Sequence, residues 1–378
     1  MIDLETLETA AVLVRRVVPP TPQYCWPLLS QRVGTELWVK HENHTPIGAF
    51  KIRGGLVYLD EVKRSHPDIR GVVTATTGNH GQSIALAAAR LGLAATLVAP
   101  FGNSVEKNRT MEGFGARLIE AGHDFQAAYE YAIALAERES LHLVRSYHAL
   151  LVRGVASYGL ELFQAVPDLD TVYVPIGLGS GICGVIAARE ALGLTAEIVG
   201  VVAANAPTYA LSFAAGTMVG TNSADTMAGG LAVRVPDPEA LDIICRGAAR
   251  IVTVSEAEIR RAMRILFTAT HNVAEGAGAA PLAAALQERD RLRGKRVAVI
   301  QSGGNIDRDL FAEILAEQEV ARPAWKGALD RAKLRLWNSL TSCSRSRSSS
   351  ILARTIGGIT SFSTASSSRW RRPQRRIK

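Results

Sequence analysis

Four short segments of this 378-residue chain hold residue types that could do chemistry. The first is Thr45-Pro46-Ile47-Gly48-Ala49-Phe50-Lys51-Ile52-Arg53-Gly54-Gly55. Lys51 sits there among Ala49, Phe50 and Ile52. Apolar surroundings disfavour the ammonium form, and a lysine that loses its proton readily is what a Schiff-base amine requires. A surface lysine whose stem covers apolar atoms would read the same way. The second segment is Thr76-Thr77-Gly78-Asn79-His80-Gly81. N–H groups at a helix start suit a carboxylate, and Gly78 lets the backbone approach a ligand. An ordinary helix cap, with Thr77 or Asn79 bonding its own backbone, is the alternative. The third is Gly177-Leu178-Gly179-Ser180-Gly181-Ile182-Cys183-Gly184. A glycine-rich turn that opens a helix can cradle a phosphate, or it can serve close helix–strand packing. Gly179, Gly181 and Gly184 also match the dinucleotide pattern, but that use needs an acid at the end of the next strand. The chain there reads Val201-Val202-Ala203-Ala204, which favours a single phosphate. The fourth is Gln301-Ser302-Gly303-Gly304-Asn305, where the Ser302 hydroxyl could meet a pyridine nitrogen or simply cap a turn.

These segments need elements to position them, and the hydrophobic pattern supplies candidates from about residue 36 to 315. Leu37–Lys40, Gly71–Ala75, Ala95–Ala99, Thr171–Pro175, Glu197–Val201, Ile251–Val254 and Lys295–Gln301 read as strands. Helical stretches run from Asn79 to Leu91, over 104–113, 124–138 and 151–164, and from Gly181 onward. Ser255 and Glu258 form a capping box for another. Such alternation predicts parallel sheets with helices on both faces.

Composition bounds the function. Apolar residues make up 47% of the chain, which suits a well-packed α/β enzyme. No apolar run is long enough for a membrane span, and the acidic start Met1-Ile2-Asp3-Leu4-Glu5 lacks the basic region of a signal peptide. The expected location is the cytoplasm. Cys25, Cys183, Cys245 and Cys343 are scattered, which points to neither a disulfide framework nor a zinc site. The net charge of +8 is misleading: residues 321–378 hold 14 Lys and Arg against the single acid Asp330, so 1–320 carries a net −5. A whole-chain case for nucleic-acid binding fails on that distribution. The segment 321–378, with Ser-Cys-Ser-Arg-Ser-Arg-Ser-Ser-Ser at 342–350, reads as a poorly ordered basic tail. Either it is an RNA-binding or targeting tail, or it is an aberrant C-terminus without selected function; the abrupt change in composition favours the second.

Taken in order and spacing, the four segments resemble those of the fold-type II pyridoxal 5'-phosphate (PLP) enzymes, and within them the threonine/serine dehydratases. The resemblance covers about residues 15–317. It implies a two-domain α/β fold like that of the tryptophan synthase β subunit, each domain a mostly parallel sheet flanked by helices. The large, PLP-binding domain would comprise 1–53 and 154–320, and the small domain 54–153 would take the substrate carboxylate. Lys51 would hold the cofactor as a Schiff base and act as the catalytic base. Phe50 would pack beside the ring, and Asn79 would bond the phenolic oxygen. Gly177, Leu178, Gly179, Ser180 and Gly181 would hold the phosphate, and Ser302 would meet the ring nitrogen. The family often has four successive glycines in the phosphate loop, so Leu178 and Ser180 are departures, though backbone donors remain. Thr76, Thr77, Gly78, Asn79 and His80 would receive the substrate carboxylate. Glu275 lies in a similar pocket segment and has no role there beyond lining or orienting. The family's metal-site neighbourhood usually carries an acid where this chain reads Thr226-Met227-Ala228-Gly229-Gly230, so no metal is expected. The implied reaction is β-elimination of water from a β-hydroxy amino acid of the threonine/serine type, giving a 2-oxo acid and ammonia, catalysed by a homodimer. The alternatives are another β-hydroxy amino acid such as phenylserine or hydroxyaspartate, an amino-acid racemase, and a non-enzymatic nucleic-acid binder acting through the tail. The related racemases have a serine where this chain has Thr77.

Overall fold

The computed structural model describes residues 2–318, and the reading of 321–378 as a tail lies outside them. Ten strands occur in the order β1 (Gln23–Cys25), β2 (Glu36–His41), β3 (Gly71–Ala75), β4 (Ala94–Ala99), β5 (Arg117–Glu120), β6 (His142–Leu143), β7 (Thr171–Pro175), β8 (Glu197–Ala203), β9 (Arg250–Val254) and β10 (Arg296–Gln301). The helices α1 (Leu4–Arg15) and α2 (Pro27–Val33) precede β2, and α3 (Lys51–Ser65) leads into β3. Between β3 and β7 lie α4 (Asn79–Arg90), α5 (Val105–Gly113), α6 (Phe125–Glu139) and α7 (Ala149–Ala165). Beyond β7 come α8 (Ser180–Ala191), α9 (Thr208–Ala215), α10 (Pro238–Gly247), α11 (Glu256–Thr270), α12 (Gly276–Gln287) and α13 (Arg308–Ala316).

Two sheets result. One has the order β5-β4-β3-β6 and is parallel throughout. The other has the order β1-β2-β10-β7-β8-β9 and is parallel except for the short edge strand β1. The period-2 alternation of strand side chains sorts the core onto two faces. Val172, Val174, Ala298 and Ile300 pack with residues of α7 and α8. Their neighbours Tyr173, Val297 and Val299 point the other way, onto α11 and α12. The smaller sheet does the same, with Val72 and Leu97 toward α3 and α4 and Val73 and Val98 toward α6. All seven strands read from the sequence are present. The helix α12 is absent from that reading because it is buried from Gly276 to Ala285 and rich in Gly and Ala, so it shows no amphipathic period. The predicted capping box is present, with Ser255 accepting from the Glu258 N–H and the Glu258 carboxylate returning to the Ser255 N–H. Among the described residues no helix is long and apolar enough to cross a membrane.

A buried ionic cluster locks the element that starts at Lys51. Arg53 is fully buried on α3. Its Nε donates to Glu42 Oε2 at 2.7 Å, and its Nη1 donates to Glu161 Oε1 at 2.9 Å and to Ser157 Oγ at 3.1 Å. Lys40 Nζ donates to Glu161 Oε2 at 2.8 Å and to the Thr21 carbonyl at 2.9 Å. Two cations and two carboxylates therefore pair with one another in the core. Burial works against the Arg53 guanidinium, but Glu42 and Glu161 outweigh it and hold its pKa above the ordinary value. Burial likewise works against the Glu161 carboxylate, and Arg53 and Lys40 hold its pKa below the usual range. The cluster needs α3 and α7 to cross closely, and glycine permits it: a Cβ on Gly154 would lie 2.2 Å from the Arg53 carbonyl oxygen. Removing one member strands an unpaired buried charge, at a cost of about 3–5 kcal/mol. Glu161→Ala is therefore expected to lower the urea midpoint of the cofactor-free protein strongly, whereas Arg293→Ala, which breaks the exposed pair with Asp290, leaves it unchanged. Equal midpoints for the two variants would show that the cluster is not needed for stability.

Candidate active site

The four segments meet at one place. The Phe50 N–H donates to the Ser302 carbonyl at 3.0 Å, Ala49 bridges Gly303, and the Gly304 N–H donates to the Gly48 carbonyl at 2.9 Å, joining the first segment to the fourth. Gly181 of the third lies beside the Phe50 ring; a Cβ there would be 3.5 Å from Phe50 Cζ. Tyr158 supports both, donating to the Gly181 carbonyl at 3.0 Å and meeting the Phe50 ring edge-on at 6.0 Å. The second segment joins through Asn79, whose Oδ1 accepts from Asn305 Nδ2 at 2.7 Å. One turn further along α4, Ser83 donates to the Lys51 carbonyl at 2.7 Å.

Lys51 opens α3 at the centre of this junction. Its Nζ lies 5.3 Å from the Phe50 ring centroid and has no hydrogen-bond partner among the described residues. Burial pulls its pKa down to about 8, with Glu275 alone opposing. Lys51 is half-buried with a desolvated amine, which favours the reading in apolar surroundings over the surface one. Glu275 is buried at the start of α12 and accepts from Asn79 Nδ2 at 2.7 Å. Burial raises its pKa, against Lys107, Asn79 and Lys51. A cleft opens beside it, lined by Lys107, Met227, Asn305, Asp307 and Leu310. Across this cleft Ser104 Oγ donates to Asp307 Oδ1 at 2.5 Å.

Two backbone cradles face the junction. In the second segment the Thr76 hydroxyl accepts from the Gly78 and Gly81 N–H groups at 3.1 and 2.9 Å, so the cap comes from Thr76 rather than Thr77 or Asn79. The N–H groups of Thr77, Asn79 and His80 have no partner among the described residues. They are donors for a carboxylate. The His80 ring turns away from them: its Nε2 lies 3.2 Å from Thr74 Oγ1, which donates its own hydrogen to the Val144 carbonyl. His80 Nε2 therefore carries the proton. Burial, then Lys51, pushes the His80 pKa down to about 3, so the ring is neutral and His80 offers the cradle only its main chain. In the third segment the N–H groups from Gly177 to Ile182 are likewise unpartnered among the described residues. Gly179 has φ +103°, a backbone state that a side chain would strain. These donors at the start of α8 fit a phosphate monoester. Gly184, by contrast, serves packing, since a Cβ there would meet the Ala156 nitrogen at 2.9 Å. The Ser302 hydroxyl makes no hydrogen bond among the described residues. An unpaired amine, a phosphate cradle, a carboxylate cradle and a neutral hydroxyl are what PLP and an amino acid require, so the residues present fit that cofactor.

The sequence reading quoted Arg53 and Asn305 without giving them a role and did not single out Glu42, Glu161 or Tyr158. The one local signal was charge in an apolar context: Lys40 and Glu42 flank His41 at the end of the strand read as Leu37–Lys40. Among the described residues no three His, Cys, Asp or Glu side chains converge on a metal-sized site. The Lys51 geometry gives a measurable expectation: capture of PLP by the cofactor-free protein should accelerate with pH to a midpoint near 8. A midpoint at the ordinary lysine value of 10.5 would show Lys51 to be solvated.

Comparison with known proteins agrees with the geometry. A family described as pyridoxal-phosphate dependent enzymes matches residues 14–303. The L-threonine ammonia-lyase of Thermotoga maritima is 34% identical over 319 residues, 83% of this chain and 78% of its own. Among solved structures, the processed form of threonine deaminase isoform 2 from Solanum lycopersicum superimposes with a TM-score of 0.77 at 26% identity, covering 84% of this chain and 95% of that one. Maize serine racemase superimposes with a TM-score of 0.78 at 26% identity, covering 82% and 96%. With a desolvated, unpaired lysine where the four segments meet and a family match over most of its length, the chain belongs to the pyridoxal-phosphate dependent enzymes, with the mixed α/β, mostly parallel fold of fold type II.

Proposed function

We propose that the protein is a PLP-dependent ammonia-lyase that eliminates water from threonine or serine and releases a 2-oxo acid and ammonia. The observation that carries this is the Lys51 amine, desolvated, unpaired and placed where all four segments converge. The L-threonine ammonia-lyase and threonine deaminase likenesses support the choice of reaction and substrate.

When bound, PLP supplies an electron sink that makes the substrate Cα–H acidic. Gly177, Leu178, Gly179, Ser180 and Gly181 would hold its phosphate through main-chain donors, Phe50 would pack beside its ring, Asn79 would bond its phenolic oxygen, and the Ser302 hydroxyl, a neutral group, would meet its ring nitrogen. Thr76, Thr77, Gly78, Asn79 and His80 form the turn that receives the substrate carboxylate, and so aim Cα at Lys51. Lys51 Nζ takes the Cα proton as general base, with a pKa near the working pH. The proton held on Lys51 Nζ is passed to the departing β-hydroxyl, which leaves as water, and the enamine tautomerises to an imine that adds water to give the 2-oxo acid and ammonia. In this reading 54–153 is the small domain, with the larger formed from 1–53 and 154–320. The enzyme acts in the cytoplasm as a homodimer, which the exposed side chains of Tyr24 on edge strand β1 and Leu28 on α2 support. A monomer in light scattering would refute the dimer.

A second reading, amino-acid racemisation, is favoured by the likeness to maize serine racemase and by Thr77, an exposed residue whose hydroxyl has no partner among the described residues. A panel of β-hydroxy amino acids, scored for both 2-oxo acid and enantiomer, separates the two. We expect 2-oxo acid from L-threonine and L-serine without accumulation of the D-isomer; D-serine formed faster than pyruvate would reverse the assignment. Lys51→Ala should lose both the visible band of the bound cofactor and turnover, and retention of both would end the proposed role of Lys51.

A further inference from the structure

Asn305 closes the fourth segment, and nothing in the proposed chemistry uses it directly. Its position nonetheless determines the orientation of a residue that the chemistry does use. Its Nδ2 lies 2.8 Å from the Ile47 carbonyl oxygen, an atom that can only accept. The amide of Asn305 is thereby oriented with its NH2 toward Asn79 Oδ1 at 2.7 Å and Gln82 Oε1 at 3.1 Å. Asn79 must then present its oxygen to Asn305 and its nitrogen to the opposite side, where the Glu275 carboxylate accepts at 2.7 Å. One hydrogen of Asn79 Nδ2 is taken by Glu275 and the second is left over. The order of donors thus runs from a main-chain carbonyl through two amides to a buried carboxylate, across chain separations of 258, 226 and 196 residues.

Resting on the reading that this site takes PLP, we propose that Asn305 and Glu275 are positioning residues that fix the Asn79 amide with its N–H, and not its carbonyl, toward the phenolic oxygen of the cofactor. A reversed amide would set one acceptor against another and lose a hydrogen bond to a charged oxygen. Gln82 is buried and reinforces the same order, since its Oε1 faces the Asn305 NH2.

The test titrates the cofactor-free wild type and variants with PLP, recording the dissociation constant, the visible band and the melting temperature before PLP is added. Asn79→Ala sets the reference for a lost contact. Asn305→Asp, which removes the donor at constant shape, and Glu275→Ala, which removes the acceptor, should weaken PLP about tenfold or more and move the band to the Asn79→Ala position. Asn305→Ala should fall between those variants and the wild type. Glu275→Gln keeps an acceptor in place and should stay within about twofold of wild type. Wild-type affinity and band in Asn305→Asp and Glu275→Ala overturn the proposal. So does Glu275→Gln behaving as Glu275→Ala, or a loss of affinity matched by a fall in the melting temperature of the cofactor-free protein, which marks a packing role. A wild type that takes up no PLP ends the reading of the site itself, whereas wild-type uptake with unaffected variants ends only this inference.

Discussion

The structure depends on one charge arrangement, the buried cluster of Arg53, Glu42, Glu161 and Lys40. It ties the first turn of α3 to the end of β2 and to α7. Lys51 is two residues from Arg53, so the arginine that anchors the helix also determines where the amine points. A buried ion cluster is costly to build, and replacing such clusters with apolar residues is often neutral for stability. Its contribution here is positional. Apolar packing would tolerate small slides of α3 along α7, whereas a guanidinium held by two carboxylates has one geometry.

The same desolvation that makes the cluster expensive also sets the chemistry beside it. Burial lowers Lys51, lowers His80 and raises Glu275, each toward its neutral form. Among the described residues the two cradles present unpartnered N–H groups to the site. Dipoles aimed in advance bind anions without needing to rearrange when the anion arrives. As the proposed phosphate loop, the third segment would tolerate Leu178 and Ser180, since its donors are main-chain atoms and of its residues only Gly179 has a backbone angle that demands glycine.

Much of this was legible in the sequence because parallel strands buried on both faces are written as β-branched runs, and because each of the four segments directly follows or precedes such a run. The unread parts share a physical cause. Strands β5 and β6 are short and carry few apolar residues. Helix α12 is apolar on all sides and so has no period to detect. Arg53 and Glu161 are 108 residues apart, and Asn305 and Asn79 are 226 apart; such pairings exist only once the chain has folded. Lys51 could be nominated from its neighbours, but the groups that orient it could not.

The two anion cradles belong to different sheets. The turn at Thr76–Gly81 follows β3 of the four-stranded sheet, and the loops at Gly177 and Ser302 follow β7 and β10 of the six-stranded one. A molecule gripped by both binds the docked pair more tightly than either sheet alone. By mass action it adds RT ln(1 + [L]/Kd) to the free energy of docking, about 2.7 kcal/mol at a hundredfold excess over Kd. On the proposed reading the cofactor would also act as a structural cross-link, and its cellular supply would set how long the chain survives partial opening and the proteases that exploit it.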